Sequence, residues 1–247
     1  MIICENLSKI FKNDNGIFDI NIEFHPGKIY GIIGYNGAGK TTLLRCIEGL
    51  YLPTKGRILH DEIDTKNEKQ FGKYKPNISY LPTDEYLYEN LSCLENIELA
   101  TILRSGKNKI DNKTKELIQY FEADEYLNKK VKLCSTGMKK KIQLIVSMIG
   151  DMNTIIWDEP NDGLDIVSNI KLKKLINYYK EKNKIVIISS HVAEFMDNFI
   201  DYYILLKKGH IIDQNEYKNI KSLNELLFEH IESNTLDLPK SFKLECC

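Results

Sequence analysis

The stretch Gly34-Tyr35-Asn36-Gly37-Ala38-Gly39-Lys40-Thr41 fits the eight-position pattern of a phosphate-binding P-loop, G-x-x-x-x-G-K-[ST]. A short apolar run that predicts a strand, Lys28 to Ile33, comes immediately before it. Helical spacing of apolar residues follows it, at Leu43, Leu44 and Ile47. This order of strand, loop and helix favours a phosphate site over the alternative, a glycine-rich turn with a surface lysine.

Every residue of this loop is a candidate for nucleotide binding. Glycines let the backbone wrap around an anion, so that successive N–H groups and the N-terminus of the following helix point at the phosphates. We expect Lys40 to reach the β- and γ-phosphates of ATP and the Thr41 hydroxyl to bind Mg²⁺. Thr42 is a further candidate, and its position also fits ordinary helix surface.

A second signal is the apolar run Thr154 to Trp157, which ends in the two carboxylates Asp158 and Glu159. Mg²⁺-binding aspartates occur at the carboxyl ends of such strands, so we expect Asp158 to hold the metal. Glu159 is then free to orient or deprotonate the water that attacks the γ-phosphate. Alone, a strand ending in Asp-Glu is more often a solvated turn, but the P-loop upstream favours the metal site.

The remaining apolar runs indicate an α/β fold with a parallel sheet, because strand-like segments alternate with helical ones. Further strands are predicted at about 2–4, 17–24, 57–59 and 185–189, with a hairpin at 202–206 and 210–212. From about 85 to 150 apolar residues recur at helical intervals, which predicts a mainly helical subdomain. We expect one nucleotide-binding domain over 1–220 and a short extension over 221–247.

Composition narrows the class of protein. Lysine and arginine (34) nearly balance aspartate and glutamate (35), which gives no support to nucleic-acid binding. Six cysteines without metal-site spacing fit a reduced, intracellular protein. They are Cys4, Cys46, Cys93, Cys134, Cys246 and Cys247, and the last pair is expected to be an exposed, functionless tail. Neither a signal peptide nor a membrane span is visible, so another chain would have to cross any membrane that this one serves.

Three further motifs, in this order, resemble those of ATP-binding cassette (ABC) ATPases. Cys134 to Met138 (CSTGM) resembles the signature motif, and Pro160 to Asp165 (PNDGLD) resembles the D-loop. His191 follows a predicted strand, as the switch histidine does in that family. The resemblance covers about residues 1–213. It implies a P-loop NTPase core with an N-terminal antiparallel β subdomain and an inserted α-helical subdomain.

The resemblance also implies roles for residues outside the P-loop. Phe11 matches the aromatic residue that stacks on adenine, although Phe18 is a nearby competitor and a core phenylalanine is the alternative. Ser135 and the Gly137 N–H would bind the γ-phosphate held by a second subunit. His191 would contact the γ-phosphate and hold Glu159 in place.

Some of these motif residues also have simpler interpretations. Ser135 would be the N-cap of a helix, and capping is compatible with phosphate binding because both use the same N–H groups. Asp165, which would cross the dimer interface in the family, would likewise be read as a helix cap. His191 alone would be a structural or solvated histidine, and it is the motif context that favours the switch role.

Two motifs depart from the family pattern. Thr83, in the segment Ile78 to Thr83, stands where a glutamine normally contacts Mg²⁺ and water, and a threonine is too short for that reach. The signature reads Ser-Thr-Gly-Met instead of the commoner Ser-Gly-Gly-Gln. Similar variants occur in cassettes of exporters whose permeases are separate chains, which favours export.

The resemblance therefore implies the ATP-binding and ATP-hydrolysing subunit of a membrane transporter. Its expected partners are a transmembrane permease, contacted near 86–96, and a second ATPase subunit, identical or different. Its expected location is cytoplasmic, peripheral on the inner face of the cell membrane. Two alternatives remain at this point: a soluble ABC ATPase that drives assembly, for example of iron–sulfur clusters, and a cassette that binds ATP without hydrolysing it.

Overall fold

The computed structural model describes residues 1–12, 14–220 and 222–229, and these form ten strands and eight α-helices. The strands are β1 (Ile2–Ile10), β2 (Gly16–Phe24), β3 (Lys28–Ile33), β4 (Lys55–His60), β5 (Ile63–Asp64), β6 (Ile78–Leu81), β7 (Thr154–Asp158), β8 (Ile185–Ser190), β9 (Tyr202–Lys207) and β10 (His210–Glu216). The helices are α1 (Lys40–Ile47), α2 (Glu68–Tyr74), α3 (Cys93–Ser105), α4 (Asn112–Tyr120), α5 (Thr136–Ser147), α6 (Ile166–Glu181), α7 (Ala193–Met196) and α8 (Leu223–Glu229).

The strands form two sheets. The larger has the order β10-β9-β3-β8-β7-β6, in which every pairing is parallel except that of β10 with β9. The smaller is an antiparallel sheet of order β2-β1-β4-β5. The expected α/β fold with a parallel sheet and an N-terminal antiparallel sheet is therefore confirmed.

The centre of the larger sheet positions the candidate site. Strand β8 lies between β3 and β7, with Ile33 beside Ser190 and Asp158 beside Ser189. The carboxyl ends of three neighbouring parallel strands consequently meet at one edge of the sheet, where ligands bind in open α/β folds. The P-loop leaves β3 at this edge, and the acidic pair leaves β7 there.

Four elements were not predicted from the sequence: β5, β6, α2 and α7. The β6 run Ile-Ser-Tyr-Leu is only four residues long and contains a serine, so it lacks a continuous apolar signal. The serine can be buried at little cost because its hydroxyl donates a hydrogen bond to the Ser147 carbonyl (2.7 Å). Strand β1 also extends beyond the predicted segment 2–4 as far as Ile10, with register shifts that interrupt its alternation.

Between β6 and β7 the described chain consists of α3, α4, α5 and short 3-10 turns, with one isolated bridge between Ser92 and Lys130. Helix α3 begins with a capping box, in which Ser92 and Glu95 each bond the other's backbone N–H. No helix in the described ranges combines the length and the apolar character needed to cross a membrane.

Helix α5 is tied to the larger sheet by a buried hydrogen-bonded chain. The indole N–H of Trp157 on β7 donates to the Ser79 hydroxyl (3.1 Å), which in turn donates to the Ser147 carbonyl at the end of α5. All three residues are nearly inaccessible to solvent. Buried polar groups favour one arrangement strongly when each has a partner, so this chain fixes α5 against β6 and β7.

The C-terminal extension predicted over 221–247 is described only as far as Glu229. Helix α8 packs on α7: Leu223 is fully buried, and its N–H donates to the Asp197 carboxylate (3.1 Å). Cys246 and Cys247, for which an exposed tail was expected, lie outside the described residues.

His60, on β4, lies in the contact between the smaller sheet and α2. It is fully buried beside Phe71 and Tyr74, its Nε2 lies 2.7 Å from the Ile47 carbonyl oxygen, and burial lowers its pKa to about 4. Its imidazole is therefore neutral in the folded protein, whereas in the unfolded chain it protonates near pH 6.5. Its contribution to stability is complete above that pH and is lost as the pH falls towards 4.

We expect His60→Gln, which keeps an N–H for Ile47 and does not titrate, to remove this loss. Between pH values of about 7 and 4, the free energy of unfolding of the wild type should fall by about 3 kcal/mol more than that of the variant. Urea unfolding at a series of pH values measures the difference. Parallel pH curves for the two proteins would contradict this account of His60.

Candidate functional site

The P-loop turns tightly between β3 and α1. Gly39, at the N-cap of α1, has φ +106°, a conformation that side chains other than glycine rarely adopt. A Cβ atom at Gly34 would lie 2.4 Å from the Leu206 carbonyl oxygen, so the backbone of this loop passes too close to β9 for any side chain there. The turn directs the N-terminus of α1 at a cavity.

This cavity has a volume of about 360 Å³ and brings together residues that are far apart in the sequence. It is lined by Phe11, Asn15, Gly16, Tyr35, Asn36, Gly37, Ala38, Gly39, Lys40, Thr41, Thr42, Thr83 and Glu159. The predicted nucleotide-binding residues of the P-loop, apart from Gly34, lie on its wall. Thr83 also lies there, which matches the position expected from the family despite its shorter side chain.

The structure distinguishes between the two candidate aromatic residues. Phe11 is 39% exposed on the cavity wall and makes an edge-on contact with Tyr51 (ring centroids 5.6 Å apart). Phe18 instead stacks on His210 (5.1 Å). An exposed ring beside a phosphate loop can stack on a flat base, so the position of Phe11 favours the adenine-binding prediction over a core phenylalanine.

Asp158 is held by hydroxyl groups from two other elements. Thr41 Oγ1 donates to one carboxylate oxygen (2.6 Å), and Ser189 Oγ donates to the other. The same Ser189 oxygen accepts the Glu159 backbone N–H (3.1 Å). Both carboxylates are nearly inaccessible to solvent, and Ser189, which was not among the predicted site residues, holds the Asp158 carboxylate and the backbone of Glu159.

Glu159 lies among groups that compensate its buried charge. Its backbone has φ +47°, a left-handed conformation that is uncommon outside glycine and typical of functional sites. One carboxylate oxygen lies 3.3 Å from Lys40 Nζ, and the other contacts the Nδ1 atom (2.9 Å) and the backbone N–H (3.1 Å) of His191. The structure thus brings together the predicted catalytic residues Lys40, Glu159 and His191.

Lys140, which was not predicted as a site residue, is a further charged group near this cluster. It lies on α5, is buried, and interacts electrostatically with Asp158, Glu159 and Asp162. Burial lowers the pKa of the Lys140 ammonium and raises that of the Asp162 carboxyl. The sequence signal for its burial is that Lys140 lies four residues before the apolar Leu144 and so on the same helix face. The run of three lysines at 139–141 makes that position look like ordinary solvated surface.

Within the part of the chain that the structure describes, two sets of side-chain oxygen and nitrogen atoms could hold a cation. Thr41 and Asp158, the predicted Mg²⁺ ligands, present oxygen atoms within 2.6 Å of each other, and a hydroxyl with a carboxylate suits Mg²⁺. Glu159, Asp162 and His191 also have ligand atoms within 4.8 Å of one another. Only the first set is all oxygen, and it lies beside the P-loop, as a metal bound to phosphate requires.

The signature residues do not line this cavity. Ser135 is exposed and is the N-cap of α5, where its hydroxyl accepts the Met138 N–H (3.3 Å). A Cβ at Gly137 would lie 2.9 Å from the Gly163 carbonyl oxygen, so the signature packs directly on the D-loop. Asp165 is the N-cap of α6. The capping interpretations therefore describe these side chains within one chain, and their roles towards a second subunit remain predictions.

Comparisons with known proteins place the chain among nucleotide-binding subunits. The family model described as ABC transporter matches residues 17–162. The ABC transporter ATP-binding protein NatA of Bacillus subtilis is 31% identical over 86% of this chain and 88% of its own length. The SkfA peptide export ATP-binding protein SkfE of the same organism is 30% identical over 84% and 86%. A solved structure of an ATP-binding subunit of an ABC transporter superposes with a TM-score of 0.81 at 25% identity, over 93% of this chain and 98% of that one.

Ser189→Ala tests the arrangement of the two carboxylates. The change leaves a buried oxygen of Asp158 and the Glu159 N–H without a partner, so both carboxylates should shift. We expect ATP turnover to fall at least about tenfold while ATP affinity stays within about twofold, because the P-loop is untouched. Steady-state kinetics and nucleotide titration measure the two effects.

Ser79→Ala is the matched control, since Ser79 is equally buried in the same sheet, on β6, but bonds Trp157 and Ser147 instead. It should lower stability without this selective loss of turnover. Equal turnover in Ser189→Ala and the wild type would show that Ser189 does not position the carboxylates.

Proposed function

The chain belongs to the ABC transporter family of ATP-binding cassettes, and we propose that it couples Mg²⁺-dependent hydrolysis of ATP to export through a separate membrane-spanning permease. The observation that carries this proposal is that Lys40 and Glu159 line one cavity with the P-loop, and that His191 contacts the Glu159 carboxylate. Binding alone would not require a buried carboxylate held beside the lysine of the P-loop. The arrangement therefore supports a hydrolytic cassette over one that only binds ATP.

Phosphate binding rests on the P-loop. Its N–H groups and the N-terminus of α1 attract the anionic phosphates, and the Lys40 ammonium exchanges the Gly34 carbonyl, 2.7 Å away, for a phosphate oxygen. Phe11 stacks on the adenine. Thr41 and Asp158 would hold Mg²⁺, which when bound neutralises charge that develops on the phosphate oxygens.

Hydrolysis rests on Glu159. Its carboxylate accepts the proton of the attacking water or orients that water, and contacts from Lys40 and His191 keep it at one place. His191 is exposed on its other side and is free to contact the γ-phosphate. Phosphoryl transfer needs mainly positioning and charge stabilisation, and these residues supply both.

A second subunit completes the site in this proposal. Ser135 and the N-terminus of α5 are exposed and do not line the cavity of their own chain, so they are available to a γ-phosphate on a partner. Directly after the D-loop, α6 exposes the apolar side chains Ile166 (80%), Val167 and Ile170. Adjacent exposed apolar residues of this kind favour a protein contact. The partner is a second copy or a related cassette.

The permease is proposed to contact the helical subdomain, about 85–150, near Tyr86 to Asn96. A cavity of about 330 Å³ lies there, between the segment at Tyr86 and the apolar face of α3 at Leu99 and Leu103. The relatives named above are transport proteins, which favours a transporter over an assembly ATPase. Export is supported by the peptide-export relative and by the Ser-Thr-Gly-Met signature. This role places the protein on the cytoplasmic face of the membrane.

Lys40→Ala tests the phosphate site. Loss of a charge-assisted contact to the phosphates should weaken ATP binding at least about tenfold. Titration with a fluorescent ATP analogue measures the affinity. Lys55→Ala, which removes an exposed lysine on β4, should bind as tightly as the wild type, and undiminished affinity in Lys40→Ala would contradict the phosphate-loop assignment.

Glu159→Gln tests hydrolysis and dimer closure together. The amide cannot accept a proton, so turnover should fall at least about 100-fold while ATP still binds. The variant should accumulate an ATP-bound dimer, measured by light scattering, and wild-type turnover should rise more than linearly with protein concentration. Glu181→Gln, an exposed carboxylate at the end of α6, is the control. Rapid turnover by Glu159→Gln would rule out its assigned role.

A further inference from the structure

Two cysteines meet immediately before the signature motif. The Sγ atoms of Cys93 and Cys134 are 3.6 Å apart. Cys93 is the first residue of α3 and is fully buried, whereas Cys134 directly precedes Ser135 and is partly accessible to solvent. Neither residue belongs to the hydrolytic site described above.

The backbone on both sides of the pair holds this contact. The Cys93 N–H donates to the Lys129 carbonyl (3.0 Å), and the Val131 N–H donates to the Leu91 carbonyl (3.0 Å). The Cys134 N–H donates to the Val131 carbonyl (3.0 Å), which forms a turn. Because hydrogen bonds link the two segments on either side of the thiols, the sulfur atoms stay close without any movement of α3 or α5.

The surroundings of the two thiols differ in a way that suits oxidation. Cys134 is partly accessible to solvent, so a dissolved oxidant can reach its sulfur, whereas Cys93 is fully buried behind it. Burial raises the pKa of the Cys93 thiol to about 12, so Cys93 stays protonated and unreactive until a partner sulfur is activated beside it. Cys134 is thus the sulfur that an oxidant attacks first, and Cys93 is the one that resolves it.

We propose that Cys93 and Cys134 form a reversible disulfide that disables the signature loop. The Cys134 thiolate attacks hydrogen peroxide, a two-electron oxidant: an S–O bond forms, the O–O bond breaks, Cys134 becomes a sulfenic acid, and the second oxygen leaves as hydroxide. The Cys93 sulfur then attacks the Cys134 sulfur: the S–S bond forms, the S–O bond breaks, and the oxygen leaves as water with the Cys93 proton. A dithiol reductant returns two electrons and restores both thiols.

The bond would act on the signature loop through geometry. A disulfide shortens the sulfur separation from 3.6 Å to about 2.05 Å and restricts the Cβ positions on either side. Ser135 is the next residue and caps α5, so its hydroxyl and the N–H groups of the first turn shift with Cys134. This consequence rests on the proposed function, in which these groups bind the γ-phosphate of a partner subunit.

The test uses the full chain carrying Cys246→Ser and Cys247→Ser, so that the terminal thiols cannot compete. After treatment with hydrogen peroxide, mass spectrometry of unreduced peptides should find Cys93 linked to Cys134. ATP turnover should fall at least about tenfold, because a phosphate-binding group has moved, and dithiothreitol should restore it. In a Glu159→Gln background, the oxidised protein should fail to form the ATP-bound dimer.

Cys93→Ser is the matched control, with Cys93→Ala as a second variant if the serine destabilises the core. Without peroxide either variant should turn over ATP like its parent, and with peroxide neither should show a loss that dithiothreitol reverses. Separate oxidation of the two thiols without a linked peptide would overturn the disulfide. A linked peptide with unchanged turnover and dimerisation would overturn the switch. If the unoxidised chain hydrolyses no ATP, the proposed function fails, while the linked peptide still decides whether the bond forms.

Discussion

The site depends on the burial of opposite charges at one edge of a parallel sheet. Lys40, Asp158 and Glu159 are each nearly inaccessible to solvent, and an unpaired buried charge would be very costly. The parallel pairing of β7 with β8 provides part of the compensation, because it sets Ser189 beside Asp158 and lets one hydroxyl serve two consecutive residues. The positive charge of Lys40 and the hydrogen bonds of Thr41 and His191 provide the rest. The strand order, the P-loop geometry and the left-handed backbone of Glu159 together bring these compensating groups next to the buried charges.

Much of this arrangement could be predicted from local sequence. A P-loop is recognisable because its glycines and lysine act at fixed spacing within one turn, and the acidic pair is recognisable because it ends an apolar strand. Ser189 and Lys140 could not be found in this way. A serine in an apolar strand and a lysine within a lysine run have ordinary local explanations, and their roles come from residues more than 15 positions away that only the fold brings near.

The same limit explains the differences in the fold. Strand β6 is short and contains Ser79, which is buried only because Ser147 and Trp157 provide hydrogen-bond partners from other elements. The choice between Phe11 and Phe18 likewise depended on which ring faces the cavity. Helix α5 connects the signature motif with the hydrolytic site. Ser135 caps its exposed end, and Lys140, little more than one turn along, lies near the carboxylates. A displacement of α5 would therefore move both the signature residues and Lys140.

The chain contains a single tryptophan, and its position gives the protein an internal reporter. Trp157 precedes Asp158, and its indole N–H is the first donor in the hydrogen-bonded chain that ends on α5. Indole emission responds to changes in hydrogen bonding and local polarity. Intrinsic fluorescence of the unlabelled protein would consequently report movement of α5 relative to the sheet, separately from any signal produced by nucleotide turnover.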